Sequence, residues 1–273
     1  GLFYEVKGAV IENLVIDESC NFAGSWAGSL SRRASGSVVM RNVTNKANVY
    51  GYSGVGGFFG QASGLDSITF DECINFGNTT AGLMIFGGFI GSISSCTNTV
   101  VKITNSANNG SVSGSSDHRG GFIGEMMRNS NLSIMISNST NNGIITGSSF
   151  IGGFIGYLYG NTNVMIELSK VTNNGYVNGS TFYVGGFVGI VGSNNNVTMT
   201  ISNYFNTGNV TADSNSGRFA GSFSSNNNTD VTIYDSVYNG TVSESYVGII
   251  GEINNNINMT VTMSNNIVNG HSI

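Results

Sequence analysis

The stretch VKITNSANNGSVSGSSDHRGGFIG, residues 101–124, contains each element of the pattern that decides the fold. Val101 and Ile103 alternate with polar residues, which is typical of a strand with one buried face. The chain then reads Asn-Asn-Gly, a short Val-Ser-Gly segment and the block Gly-Gly-Phe-Ile-Gly. Gly and Asn are poor helix formers and good turn formers, so the stretch predicts short strands joined by corners.

The same blocks recur along the whole chain. Full copies of the Gly-Gly-Phe block begin at Gly56, Gly87, Gly120, Gly152 and Gly185, and degenerate copies stand at 27–30, 220–223 and 247–251. The third residue of the Asn-x-Gly turn, or its equivalent, recurs with a period near 32 residues. These nine turn positions are Ala23, Ala47, Gly77, Gly110, Gly143, Gly175, Gly208, Gly240 and Gly270. Apolar residues stand seven and nine places before each of these positions. Every repeat is therefore predicted to contain one half-buried strand and two further short strands.

This periodicity predicts an all-β fold, a parallel β-helix (β-solenoid) of about eight to nine coils of roughly 32 residues. Right-handed winding is expected, because parallel crossovers strongly prefer that hand. Residues 1–273 are predicted to form a single solenoid domain, part of a longer array or a filament. A propeller is the second choice, since its blades need about 40 residues or more.

The composition excludes several classes of protein. Charged residues make up 9% of the chain, hydrophobic residues 40%, Gly occurs 40 times and Pro is absent. That apolar content can support a core, and the few, scattered basic residues with a net charge of −5 argue against nucleic-acid binding. The longest apolar stretch, from Phe150, is too short for a membrane-spanning helix.

Asn recurs two residues before most of the turn positions. Stacked coils would bring these side chains together, which predicts a row of hydrogen-bonded amides at one corner. The predicted row consists of Asn21, Asn45, Asn75, Asn108, Asn141, Asn173 and Asn206. Tyr238 and Val268 replace Asn in the last two repeats.

The GGFIG, GGFVG and NNGxVxG blocks resemble the GLUG-type repeats of large surface proteins of bacteria and protists. They also resemble the Asn-rich repeat proteins of trichomonad-like protists. The resemblance covers nearly the whole chain, although the first and last repeats depart from the pattern. It implies an extracellular stalk, adhesin or passenger region and brings no shared catalytic motif.

Charged residues at one position of three successive repeats predict a second row of stacked side chains. Asp17, Arg41 and Asp71 stand six residues before the turn position in three successive repeats, so they would form an alternating charge row. An exposed row of this kind is usually structural.

No catalytic constellation is recognised, and the chain is not expected to be an enzyme. Asp117-His118-Arg119 could supply a general base, but it lies in a loop without a convincing nucleophile. The two His and three Cys lack metal-ligand spacing, so neither a metal nor a cofactor is expected. The Phe of the Gly-Gly-Phe block is expected in the core, with a sugar-stacking strip as the alternative.

Four glycosylation sequons fall in the same polar loop of different repeats. They begin at Asn131, Asn196, Asn227 and Asn258. If the protein is secreted by a eukaryote, these residues are expected to carry glycans along one edge of the solenoid.

Together these features predict a structural or adhesive surface protein at an extracellular location, a rigid β-helical rod presenting loops and glycans. Solenoids need capped ends, so we expect end-to-end self-association or continuation in a longer chain. Host or cell-surface ligands are the expected partners. The alternative is a carbohydrate-binding or polysaccharide-processing β-helix, and an antifreeze is a third class.

Overall fold

The computed structural model describes residues 1–242 and 248–272 and shows an all-β parallel solenoid. The described residues contain no helix, and their strands stack into about eight turns of about 32 residues. The predicted fold class is therefore confirmed. Val247, which begins the last degenerate Gly-Gly-Phe copy, lies outside the described residues.

Thirty-three strands are present in the described residues. The first seventeen are β1 Phe3–Lys7, β2 Val10–Ile16, β3 Asn21–Gly28, β4 Ser31–Asn45, β5 Asn48–Gly56, β6 Phe59–Asp71, β7 Ile74–Asn75, β8 Thr79–Ala81, β9 Ile85–Gly87, β10 Ile90–Ser94, β11 Thr97–Thr104, β12 Ala107–Asn108, β13 Val112–Gly114, β14 Arg119–Gly120, β15 Ile123–Met127, β16 Ser130–Ser137 and β17 Thr140–Asn141. The others are β18 Ile145–Gly147, β19 Ile151–Gly152, β20 Ile155–Tyr159, β21 Thr162–Asn173, β22 Val177–Gly179, β23 Phe182–Gly185, β24 Val188–Gly192, β25 Asn195–Asn206, β26 Val210–Thr211, β27 Ser214–Ser224, β28 Asn227–Tyr234, β29 Val237–Tyr238, β30 Gly248–Asn254, β31 Ile257–Ser264, β32 Ile267–Val268 and β33 His271–Ser272.

Except for β33, each strand pairs in parallel with the equivalent strand one coil away. Val101 lies beside Ile134, and Ile103 lies beside Ile136, as the repeat predicts. The one antiparallel pairing among the described strands joins β32 to β33. Like residues therefore form rows along the solenoid axis, spaced by about 4.8 Å.

A typical coil has five short strands rather than the three predicted, as β11 to β15 illustrate. Three of the breaks between strands lie at residues with left-handed backbone. Asn105 (φ 51°) separates β11 from β12, His118 (φ 56°) precedes β14, and Arg128 (φ 56°) separates β15 from β16. A left-handed residue turns the strand sharply, so it forms a corner without a long loop.

The interior contains two apolar clusters. The larger cluster is lined by the long strands and by the Phe of the Gly-Gly-Phe blocks, and the smaller one includes Val112 and Ile145. The rings of Phe122 and Phe154 stack at 4.8 Å, and that of Phe187 continues the row at 5.4 Å. These Phe rings are fully buried, so they are core residues and cannot form a sugar-stacking strip.

The Gly pairs lie between the two clusters, where the two walls of each coil approach closely. We call this place the waist. A Cβ atom added at Gly88 would lie 2.1 Å from the carbonyl oxygen of Gly121 and 2.4 Å from Oδ1 of Asn108. Only a residue without a side chain fits there, because real Cβ contacts are never so short. The waist therefore brings the Gly pair of each coil against the Asn of the turn.

Candidate functional site: amide rows and their surroundings

Six of the seven predicted Asn residues form a continuous buried row, which we call the inner amide row. Its members are Asn45, Asn75, Asn108, Asn141, Asn173 and Asn206. From Asn45 onward, each Nδ2 donates to Oδ1 of the next Asn at 2.8 to 3.0 Å. The same Nδ2 also donates to the backbone carbonyl two residues further on, at 2.9 to 3.2 Å. Each interior amide is thus tied both to its own turn and to the next coil.

Asn21 does not belong to the inner amide row, so this part of the prediction is wrong. It is exposed and pairs with Asn48 rather than with Asn45, which lies beside Ile16. A local turn causes the change: Cys20 donates its backbone N–H to the carbonyl of Asp17 at 3.1 Å. This turn displaces the following strand from the register that the repeat suggests.

The row stops at Asn206, whose register partner in the next coil is Tyr238. Nδ2 of Asn206 is buried and has no hydrogen-bond partner among the described residues. The departure of Tyr238 from the repeat, visible in the sequence, therefore marks the end of the row.

A second amide row was not foreseen. It consists of Asn129, Asn161, Asn194, Asn226 and Asn256. Each Oδ1 from Asn161 onward accepts both the backbone N–H and Nδ2 of the preceding Asn, at 2.9 to 3.0 Å. The recurring polar loops such as SNNN from Ser193 were its signal in the sequence.

The predicted charge row holds Arg41 and Asp71 as register partners but not Asp17. Glu12 takes that place and forms an ion pair with Arg41. Asp17 instead accepts the backbone N–H of Ser19 at 2.9 Å within its local turn. The error has the same origin as that for Asn21, namely the shifted register of the first coil.

Asp71 is held mainly by neighbouring donors rather than by Arg41. The Thr104 hydroxyl and the Asn105 amide donate to its Oδ1 at 2.7 and 2.9 Å. These bonds lower the pKa of Asp71, and the charges of Lys102 and Arg41 contribute less. The group is a hydrogen-bond network on the surface of the solenoid.

Three of the four sequon residues lie in one exposed row, which we call the outer amide row. It consists of Asn98, Asn131, Asn163, Asn196, Asn228 and Asn258. All six have left-handed backbone with φ between 52° and 56°, and each Nδ2 from Asn131 onward donates to Oδ1 of the preceding member. Asn227 lies one residue outside the row and donates to Asn195 at 3.0 Å. The alignment of Asn227 with the other three sequons is therefore wrong by one residue.

His118 is engaged by a carboxylate rather than by a nucleophile. Its Nδ1 lies 3.0 Å from Oε2 of Glu125, whose Oε1 accepts the Ser92 hydroxyl at 3.1 Å. The imidazole also stacks on Tyr157 with ring centroids 4.0 Å apart. No group of three His, Cys, Asp or Glu side chains that could hold a metal occurs in residues 1–242 and 248–272.

Arg119 is fully buried in the smaller apolar cluster, between the register partners Phe86 and Ile151. Its guanidinium lies 4.8 Å from the centre of the Phe86 ring. None of its three nitrogens has a hydrogen-bond partner within the described part of the chain. Burial lowers the pKa of Arg119 to about 10, against the opposing effect of Asp117.

We expect Arg119→Leu to raise the free energy of unfolding by about 1 to 4 kcal/mol, because a buried cation without acceptors costs more than an apolar side chain. Urea denaturation followed by circular dichroism measures the change. Lys102→Leu, on the exposed face, is the control and should change stability by less than about 0.5 kcal/mol. A loss of stability in the Arg119 variant would show that the guanidinium makes favourable contacts.

No helix in the described residues is long and apolar enough to cross a membrane. Comparison of the chain with family models, with curated proteins and with solved structures finds no match.

Proposed function

We propose that this chain is a rigid rod of an extracellular surface protein with a structural or adhesive role. The observation that carries the proposal is the pair of buried amide rows, which tie successive coils together along the axis. Such internal hydrogen bonding, added to a continuous apolar core, suits a stiff spacer. Eight coils at about 4.8 Å would give a rod roughly 40 Å long.

The arrangement of charged groups supports a non-enzymatic role. Glu125 and His118 are occupied by each other, and Asp71 is occupied by amide and hydroxyl donors. A polysaccharide-processing site usually needs two carboxyl groups that flank the bond to be cleaved, and each of these hydrogen-bonded groups holds a single carboxylate. Turnover of a panel of plant and microbial glycans tests this point, and clear cleavage would contradict the proposal.

The proposed location is tested on the source cells. An antibody raised against the purified chain should label intact cells as strongly as permeabilised ones. Labelling only after permeabilisation would contradict a surface location.

We also propose that the outer amide row carries glycans when the protein passes through a eukaryotic secretory pathway. The side chains of Asn131, Asn196 and Asn258 are exposed, and a glycosylated Nδ2 keeps one hydrogen for the row. The mass of native material should fall on enzymatic removal of Asn-linked glycans. Asn131→Gln should remove one glycan, while Asn163→Gln, which alters no sequon, should remove none. An unchanged mass would contradict the proposal.

End-to-end association is the remaining part of the proposal. Both end coils leave inward-facing side chains partly uncovered: Ile11 and Val261 are half-buried, whereas their register partners one coil further in, Met40 and Val231, are buried. We expect sedimentation velocity of the 28.5 kDa chain to show species larger than a monomer as concentration rises. A monomer at every concentration would contradict self-association.

A further inference from the structure

A group of side chains on three successive coils forms a continuous aromatic patch on the surface. It consists of His118, Phe150, Tyr157, Tyr159, Phe182 and Tyr183. Neighbouring rings lie 4.0 to 5.7 Å apart between centroids. Phe182 is 39% exposed and the others are partly buried, so the patch presents ring surface to solvent.

The patch lies on the outer surface, beside the Gly pairs of its coils. His118, Phe150 and Tyr183 precede the Gly pairs of their coils, and the Tyr157 and Tyr159 rings come from β20, which follows one of these pairs. The stack of His118 on Tyr157 joins the segment before one Gly pair to the strand after the next. The aromatic rings therefore run parallel to the long axis of the rod.

Two residues of the patch have strained backbone. Phe150 and Tyr183 have φ of 57° and 61°, in the left-handed region that bulky side chains disfavour, whereas His118 (φ 56°) is of a residue type that adopts this region more readily. Every other non-Gly residue with positive φ in the described ranges is His, Asn, Asp, Ser, Glu, Lys or Arg. The next coil places Asn215 (φ 56°) at the same position, so the corner does not require an aromatic residue. Strain of about 1 to 3 kcal/mol per residue that the fold does not need is typical of a functional site.

Three carboxylates lie beside the patch. Glu125 accepts bonds from Ser92 and His118, Glu252 interacts with Ser222 and Tyr183, and Asp117 accepts the backbone N–H of Ser149. The negative charge of these carboxylates disfavours an acidic ligand.

We propose that the aromatic patch is a binding site for a neutral glycan chain. The ring faces match the apolar C–H faces of sugar rings, and the tyrosine hydroxyls both donate and accept hydrogen bonds to sugar hydroxyls. Rows parallel to the axis suit an extended chain. This inference rests on the proposed adhesive function and names its class of ligand.

The test uses the complete chain on a printed array of neutral oligosaccharides of glucose, mannose, galactose and N-acetylglucosamine. Sialylated and uronic-acid oligosaccharides and a polylysine peptide are included on the same array. We expect binding to neutral members, with a signal at least tenfold lower for Phe150→Asn and for Phe182→Ala. Phe205→Ala is the matched control, since Phe205 is also 39% exposed but lies outside the patch, and it should bind like the unmodified chain.

Stability provides a second readout. Phe150→Asn should lose binding without lowering the midpoint of urea denaturation, because Asn tolerates the left-handed backbone that Phe does not. A patch with only a structural role would give the opposite result, with lower stability and no change on the array.

Absence of binding to all neutral glycans, or equal binding by the patch variants, would overturn the inference. Preferential binding of polylysine would identify a cationic peptide ligand and overturn it as well. None of these results changes the outcome of the cell-labelling test. Failure of the glycan-binding inference can therefore be distinguished from failure of the proposed surface location.

Discussion

Asn141→Ala is expected to lower the free energy of unfolding by about 3 to 5 kcal/mol. Its Oδ1 accepts from Asn108, and its Nδ2 donates to Asn173 and to the carbonyl of Gly143. Truncation leaves buried donors and acceptors without partners, and each costs about 1 to 3 kcal/mol. Urea denaturation followed by circular dichroism measures the loss.

Asn142→Ala is a close control for this variant. Asn142 is the next residue, has the same side chain and also bonds to Asn in both neighbouring coils, but it is exposed. Water replaces its lost partners, so we expect a change below about 1 kcal/mol. Equal effects of the two variants would show that burial of the inner amide row does not contribute to stability.

Gly121→Ala is expected to destabilise the solenoid by more than about 4 kcal/mol, enough to reduce the yield of folded protein. The added Cβ would lie 2.1 Å from the carbonyl oxygen of Gly153 and 2.6 Å from Oδ1 of Asn141. Both neighbours are fixed, one by backbone pairing and one by the inner amide row, so the methyl group forces the coils apart. Soluble yield and the urea midpoint report the effect.

Gly82→Ala separates this steric effect from the general cost of replacing Gly. The nearest atom to a Cβ at Gly82 is a Tyr52 ring carbon at 3.7 Å, an ordinary contact. This variant should fold with nearly unchanged stability. Normal stability of Gly121→Ala would contradict the close approach at the waist.

The fold was predictable because every coil buries the same kinds of residues at the same positions. Alternation at Val101 and Ile103 and the Gly pair at Gly120 recur at one period, and parallel stacking is the arrangement that aligns them. Register in the first coil was not predictable. The segment VIENLVI offers apolar residues at Ile11, Leu14 and Ile16, so local periodicity permits more than one alignment.

The candidate sites were only partly predictable, for reasons that differ. The inner amide row stands beside a recurring Gly, which identified most of its members. In loops such as Asn194–Asn196, three consecutive amides are chemically identical, and only the backbone decides that Asn194 points inward. The aromatic patch depends on left-handed backbone at Phe150 and Tyr183, where residue preferences favour Asn.

The most direct test of the solenoid is a set of distances along one row of exposed residues. Ser37, Thr198, Asp230 and Thr260 belong to such a row, with Ser37 separated from the others by five, six and seven strand spacings. Spin labels at Ser37 and at each of the others, in a chain whose cysteines are replaced by alanine, should lie about 24, 29 and 34 Å apart. Increments of about one strand spacing per coil would support the rod. Distances that do not increase from Thr198 to Thr260 would contradict it.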